Sequence, residues 1–328
     1  MATFKAFVLQ STEPVQTGVE EWSTDQLDGD VLIKVSYSSV NYKDGMVGST
    51  GRIAEFTPLI PGIDLAGVVV ESGDHSFNEG DEVIVTSYRL GTGHHGGFSE
   101  YAKVPAEWVV PKPEGLTLRE SMILGTAGFT AALSVGQLEK NGLNPKQGPV
   151  LVAGASGGVG SLAVNMLANL GYDVSASTGK GNEVEYLKKL GAKEVLNRDD
   201  LVDHDQKSTR RSKWAGAIDP VGGKTTQYIL STLSYGASVA TSGLAGGVDV
   251  STQVFPFISR GINWLGIDSV RCPMDIRTNV WQRLATDLKP TCLEDEVVIE
   301  VKLEDLDQVF KDILEGKVRG RTIVKMGS

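Results

Sequence analysis

The chain has 328 residues, 41% of them hydrophobic and 22% charged, the balance of a globular protein of about two domains whose cores need no disulfide staples. Its formal charge of −10 argues against nucleic acid or an anionic membrane as the main partner. The only two cysteines, Cys272 and Cys292, are too few for a disulfide framework or a four-thiolate zinc site, and a reducing cytoplasm is the expected compartment.

The N-terminus, MATFKAFVLQ, lacks the pattern of a secretion signal and reads as a first strand. No apolar run is expected to reach the roughly 18 residues of a membrane span. Strand-like runs follow at Phe4–Leu9, Val31–Tyr37, Gly67–Val70, Glu82–Val85 and Phe98–Val104, separated by Gly, Asp, Asn and Pro clusters. Between the last two, LGTGHHGGFSEY carries His94 and His95 among glycines that suggest a mobile, solvent-exposed turn. With His75 and His204 they form no HxxxH pattern, so no metal is expected.

From about residue 122 the texture becomes alternating helix and strand, which predicts a doubly wound parallel sheet. A helix over Ser121–Gln137 leads to a buried strand at Val150–Ala153. The next residues, Gly154-Ala155-Ser156-Gly157-Gly158-Val159-Gly160, form a glycine turn that opens a helix with apolar Leu162, Val164, Met166, Leu167 and Leu170. A second strand is expected at Asp173–Ser175. Strand, AxGxxG turn, helix and strand make a dinucleotide site: Gly157 admits a pyrophosphate, Gly160 allows close helix packing, and the helix N-terminus offers free N–H groups. Ser156, Gly157, Gly158 and Val159 are therefore cofactor candidates.

An NAD-selective fold ends its second strand with an acid that bonds the ribose 2′-hydroxyl. Here that place holds Ser177-Thr178-Gly179-Lys180, with no carboxylate before Glu183, and Arg198 lies after the next short strand, Glu194–Leu196. Either base alone reads as a solvated surface charge. A hydroxyl and two bases without the acid suit a 2′-phosphate, which points to NADPH.

Further strands are expected at Trp214–Ile218, Ser238–Ser242 and Asn263–Gly266. The tail reads as a helix near Met274–Leu288, a strand at Val297–Val301, a helix at Leu303–Leu314 and a strand at Arg321–Lys325. The segment GINWLGI has few of the charges that guard a sheet edge. It is expected to pair with a second copy, making a homodimer, the plainer alternative being that the helix near Met274 covers it.

Several motifs carry a family resemblance: Asn41-Tyr42-Lys43-Asp44, Pro61–Gly67, Gly125–Ala131, Ser242–Gly247, Gly266–Val270 and Gly320–Lys325. In this order they resemble the medium-chain dehydrogenase/reductase superfamily, in particular its zinc-independent quinone oxidoreductase branch and the subfamily that includes acryloyl-CoA reductases. The resemblance covers essentially the whole chain. It implies a GroES-like β-barrel catalytic domain over residues 1–121, an NADP-binding Rossmann domain over 122–266, and a return to the catalytic domain over 267–328. Zinc alcohol dehydrogenases of the superfamily place cysteine, histidine and cysteine where this chain has Asn41, Ile63 and Thr126, so the soft ligands are replaced.

Without a metal to make an alkoxide, reduction of an already polarised acceptor is the implied chemistry, with a quinone or an enoyl thioester such as acryloyl-CoA as substrate. Charge then develops on a conjugated oxygen, and a donor placed there lowers the barrier. The resemblance sets Asn41 and Tyr42 beside the nicotinamide as catalytic candidates, and Tyr42 donates either to the developing enolate or to the cofactor ribose. Lys43 and Asp44 are expected to form an ion pair that fixes the turn. The resemblance also carries Thr130, Thr178, Gly179, Lys180, Arg198, Leu244, Ile258, Ser269 and Arg321 to the cofactor, although Leu244 and Ile258 have packing as a plainer reading. A CoA thioester would reward basic residues, for which Arg52, Arg271 and Arg277 are candidates. The competing function class is an NADPH-binding sensor or structural protein with little turnover.

Overall fold

A computed structural model describes residues 2–202, 207–293 and 297–327; His204 lies outside them. The chain divides into two compact units, one of Met1–Thr126, Val270–Ala285 and Val298–Ser328, the other of Ala127–Ser269 and Thr286–Val297.

The first unit is built on β-structure. A hairpin of β1 (Thr3–Thr12) and β2 (Val15–Ser23) stands beside a seven-stranded sheet. That sheet contains β3 (Val31–Val40), β4 (Asp64–Ser72), β5 (Glu82–Thr86), β6 (Tyr101–Val104), β7 (Val110–Pro111), β14 (Val298–Val301) and β15 (Arg321–Lys325). β15 pairs antiparallel with β3, so the C-terminal segment is hydrogen-bonded into the N-terminal sheet. Helix α8 (Leu306–Leu314) supports this return. Its fully buried Phe310 meets Phe7 edge-on at a centroid distance of 5.5 Å and Phe98 at 5.8 Å. Helices α1 (Tyr42–Thr50) and α7 (Met274–Leu284) complete the unit.

The second unit is a six-stranded parallel sheet in the order β10-β9-β8-β11-β12-β13. Its strands are β8 (Val150–Val152), β9 (Val174–Thr178), β10 (Glu194–Asn197), β11 (Trp214–Asp219), β12 (Leu233–Thr241) and β13 (Asn263–Gly266), joined by α3 (Gly158–Asn169), α4 (Val184–Lys189), α5 (Gly223–Thr232) and α6 (Phe255–Arg260). Taken in chain order this is 3-2-1-4-5-6, the doubly wound dinucleotide-binding arrangement. The central strands are covered on both faces: every residue of β8, β9 and β11 is buried. β13 is an outer strand, with Trp264 41% exposed.

Several elements differ from expectation. β9 runs to Thr178 rather than ending at Ser175, because Ser175, Ser177 and Thr178 are buried strand residues despite their polarity. β2 and β7 have no clean apolar alternation and escape sequence reading. The helix expected at Ser121–Gln137 spans Leu118–Lys140 but is broken at Gly125 (φ 50°, ψ −154°). This helix, α2, is long and apolar enough by composition to cross a membrane, contrary to the expected lack of such a run, yet it is mostly buried. The tail helices are shorter than their apolar periods, α7 ending at Leu284 and α8 opening only at Leu306.

Truncating Phe310 to Ala removes the ring that packs on Phe7 and Phe98. It should destabilise the protein by about 3–5 kcal/mol, the usual cost of emptying a buried phenylalanine site. Equilibrium urea unfolding measures it, and a loss under about 1 kcal/mol would contradict this packing.

Candidate active site

Asn41 caps α1 after β3, and its backbone N–H donates to Asp44 Oδ2 at 2.7 Å. Asp44 is completely buried and also accepts from the Ile63 N–H at 2.9 Å. It therefore forms no ion pair with Lys43, which points to solvent. The expected pair is replaced by two backbone donors, which fix the turn without a cation. Burial, and then the neighbouring Asp64 charge, push Asp44 up to about 7.

Asp64, at the start of β4, is the centre of the cluster. Its Oδ2 accepts from Ser39 Oγ at 2.6 Å, Asn41 Nδ2 at 2.8 Å and the Thr126 N–H at 2.9 Å, while Oδ1 accepts from Thr126 Oγ1 at 2.5 Å. Arg321 supplies the opposite charge from β15. Its buried guanidinium donates to the carbonyls of Ile123 (2.9 Å) and Val40 (3.2 Å), to Ser39 Oγ (2.9 Å) and to Asn41 Oδ1 (3.3 Å). Burial lowers the Arg321 pKa from its ordinary value, while Asp64 and Asp44 hold it up. The break at Gly125 makes room for all of this. A Cβ there would lie 2.5 Å from Ser39 Oγ and 2.6 Å from Asp64 Oδ2, and the backbone has a positive φ that favours glycine.

Asn41, Ile63 and Thr126 do not suit zinc. They offer an amide, an alkyl group and a hydroxyl, and the nearest carboxylate already has donors on both oxygens. Among the described residues no group of three His, Cys, Asp or Glu side chains comes together.

Tyr42, the first residue of α1, is 47% exposed, whereas Asn41 is buried with its amide engaged. The two catalytic candidates are therefore unlike: one is held inside the cluster and one faces outward. The LGTGHHGG loop is not the fully exposed turn expected, since His94 and His95 are half-buried. A Cβ at Gly91 or Gly96 would sit 2.6 or 2.4 Å from the Gly62 backbone, so these glycines permit close chain packing. His95 lies between Trp22 and Phe56 and accepts from the Ile60 N–H at 3.2 Å. Burial pulls it down to about 4, which leaves it neutral near pH 7.

In the second unit the fingerprint turn has the expected form. Gly157 caps α3 without a side-chain bond, leaving first-turn N–H groups at Gly158 and Val159 for a ligand. A Cβ at Gly160 would lie 2.4 Å from the Gly154 carbonyl, so close packing demands glycine there. At Gly157 it would meet only that carbonyl, at an ordinary 3.4 Å, so this opening serves something other than the protein itself. Ser156 Oγ lies 2.9 Å from Thr178 Oγ1, which also accepts from the Lys180 N–H at 3.1 Å. The Arg198 side chain crosses Gly179, where a Cβ would lie 2.5 Å from its Nε. Ser156, Thr178, Gly179, Lys180 and Arg198 are thus one group, and β9 ends without a carboxylate. These residues fit NADPH.

The remaining candidates are dispersed. Thr130 is buried in α2, Ser269 is half-buried after β13, and Arg321 is inside the Asp64 cluster. Leu244 and Ile258 are 61% and 78% exposed, so packing within the unit does not explain them. Arg277 is fully buried and bonds Thr86 and Val270, which removes it as a CoA contact; Arg52 and Arg271 are exposed. Sequence reading missed Asp64 as a functional residue, although an acid inside the apolar run GIDLAGVVV was its signal.

Two family models match: the alcohol dehydrogenase GroES-like domain over residues 27–114 and the zinc-binding dehydrogenase domain over 158–286. YhfP of Bacillus subtilis, provisionally named a quinone oxidoreductase, is 54% identical over 97% of each chain. Its crystal structure with NAD bound has a TM-score of 0.97, covering 99% of this chain and 100% of that one. The acrylyl-CoA reductase AcuI of Ruegeria pomeroyi is 45% identical over 99% of this chain and 100% of its own. The YhdH oxidoreductase of Salmonella enterica, solved with NADP, has a TM-score of 0.95 at 42% identity, covering 98% and 100% of the two chains.

The raised pKa of Asp44 has a consequence for stability. Between the ordinary carboxylate value and about 7 the folded state binds more protons than the unfolded one, so stability from this group falls as pH rises through about 7. Asp44→Asn, which loses one acceptor, should be less stable than wild type at pH 5, and the gap should narrow by pH 8. Thermal unfolding across that range tests it; a gap that widens with pH would contradict the assignment.

Proposed function

The chain belongs to the medium-chain dehydrogenase/reductase superfamily, in the zinc-independent branch of quinone oxidoreductases and acrylyl-CoA reductases, and on that footing we propose that it is an NADPH-dependent reductase of conjugated acceptors. The observation that carries this reading is the acid-free end of β9, where the Ser156–Thr178 hydroxyl pair stands beside the Lys180 backbone N–H and the Arg198 side chain. Hydroxyls and cations recognise a 2′-phosphate, and a carboxylate at this place would repel it.

When bound, NADPH supplies a hydride. The protein contributes a pyrophosphate cradle at Ser156–Val159, a 2′-phosphate grip at Thr178–Lys180 with Arg198, and a set of fixed donors. The substrate is a quinone or an enoyl thioester of the acrylyl-CoA kind, as named for the relatives. Both become electron-rich at a conjugated oxygen as they are reduced, so both need a hydrogen-bond donor there. Tyr42 is the candidate for that role: its phenol is exposed at the first turn of α1. Asn41 acts behind it, since its amide is committed to Asp64 and Arg321. Asp64 and Arg321 hold the turn that presents Tyr42, and no step calls for a metal-bound alkoxide.

NADPH oxidation measured side by side with acryloyl-CoA and quinones tests the reading. Turnover with at least one acceptor is expected, and Tyr42→Phe should lower kcat by about 10- to 100-fold, the scale of one lost charge-stabilising donor. No turnover with any acceptor would leave a cofactor-binding protein and contradict the proposal.

The NAD bound to YhfP makes cofactor preference a sharp test. NADPH should bind this chain at least about tenfold tighter than NADH, a gap of ~1.4 kcal/mol, and Lys180→Ala should weaken NADPH far more than NADH. Equal affinities in fluorescence titration would refute the role given to Lys180.

We also propose a homodimer paired along β13, an outer strand whose exposed Trp264 and sparse charge leave its edge unguarded. Trp264→Glu should shift the protein toward monomer in sedimentation velocity. A wild-type monomer at micromolar concentration would rule the pairing out.

A further inference from the structure

Directly after β5, two consecutive non-glycine residues adopt left-handed backbone: Ser87 at φ 67° and Tyr88 at φ 51°. L-residues take this region at a cost, so the surroundings must impose it. The Ser87 N–H donates to the Ile63 carbonyl at 2.7 Å, and the Leu90 N–H donates to the Ser87 carbonyl at 3.1 Å. The Tyr88 ring stacks on Trp108 with centroids 5.4 Å apart and planes within 6°. The buried Arg277 guanidinium lies 4.5 Å from the Tyr88 ring centroid. Arg277 also donates from Nη1 to Thr86 Oγ1 at 2.9 Å and to the Thr86 carbonyl at 3.1 Å, clamping the residue where the turn begins.

What the turn delivers is one hydroxyl. Ser87 Oγ lies 3.0 Å from Thr126 Oγ1. Thr126 has a single hydroxyl proton and gives it to Asp64 Oδ1, at 2.5 Å. Ser87 must then be the donor of the pair, so the chain runs Ser87 to Thr126 to Asp64 with its polarity fixed. Ile63 ties the same turn to the other carboxylate, because its carbonyl accepts from Ser87 and its N–H donates to Asp44. Glycine would take this backbone without strain. What glycine lacks is the hydroxyl.

We propose that Ser87 is a positioning residue of the reductase: by donating to Thr126 it locks the threonine hydroxyl onto Asp64, and so sets the carboxylate that holds Asn41 and the Tyr42 turn. The proposal rests on the reductase reading above. A hydroxyl that itself accepts a hydrogen bond becomes a better donor, so Ser87 strengthens the short Thr126–Asp64 bond as well as fixing the rotamer. Arg277, fully buried, is the clamp that makes the strained delivery possible.

Two substitutions separate hydroxyl from backbone. Ser87→Ala removes the hydroxyl and keeps the strain, whereas Ser87→Gly removes both. S87G should therefore melt above S87A, while both lose kcat by about tenfold with the NADPH dissociation constant within about twofold of wild type, the loss of one supporting hydrogen bond. Because Ser87 acts through Thr126, adding Ser87→Ala to Thr126→Val should slow turnover no further. A purely conformational role would restore kcat in S87G along with stability, and that result overturns the proposal. So would losses from S87A and T126V that multiply. A wild-type protein that oxidises NADPH with no acceptor overturns the reductase reading and this proposal together, whereas active wild type with fully active S87G overturns only this one.

Discussion

One buried carboxylate organises the first unit. Asp64 is completely buried and accepts hydrogen bonds from Ser39, Asn41 and both the N–H and hydroxyl of Thr126. A carboxyl group in a protein interior needs such partners, and Arg321 brings a guanidinium to the same cluster from the last strand. The requirement reaches far along the chain. β3 provides Ser39, the cap of α1 provides Asn41, the break in α2 provides Thr126, and β15 provides Arg321. Each element must arrive in register for these bonds to form, so the Asn41–Asp44 turn inherits its geometry from the fold.

Two of the positions that hold metal ligands in zinc relatives of the superfamily, Asn41 and Thr126, are linked here through that same carboxylate. Thr126 donates to Asp64 where a metal-binding cysteine would have stood, and the Asn41 amide does likewise. Ile63 keeps only a backbone role, giving its N–H to Asp44. The exchange turns a Lewis-acid site into a hydrogen-bonded scaffold that presents donors. Under the reading proposed above, such a scaffold serves an acceptor that is already polarised.

How much of this was legible in the sequence depends on range. The βαβ fingerprint, the Ser156–Lys180 group and Arg198 were readable because their spacing is local and each glycine has a distinct job. β15 was readable from its apolar run, but its pairing with β3 was implied only by family resemblance. Asp64 was hidden because its side-chain partners lie 23 to 62 residues away, and nothing in a one-dimensional pattern brings them together. Gly125 was misread as a helical residue because GTAGFTAA has the apolar content of a helix, and only the crowding of Ser39, Asp64 and Arg321 explains the break. Arg277 and Arg321 show the same limit: one was expected as a contact of a CoA thioester and the other of the cofactor, and only their buried partners show that they bond the protein itself. The glycines around His94 and His95 allow the close approach of two backbones, which composition does not reveal.

The most direct measurement of the central claim is the hydride-transfer rate of Asp64→Asn, followed by stopped-flow loss of NADPH absorbance with the acceptor that wild type reduces fastest, at a temperature where circular dichroism shows both proteins folded. If Asp64 is the organising acceptor, the variant binds NADPH with near wild-type affinity, because the cofactor grip lies in the other unit, yet transfers hydride at least about 100-fold more slowly. Hydride transfer at the wild-type rate would contradict the claim that this carboxylate sets the catalytic turn.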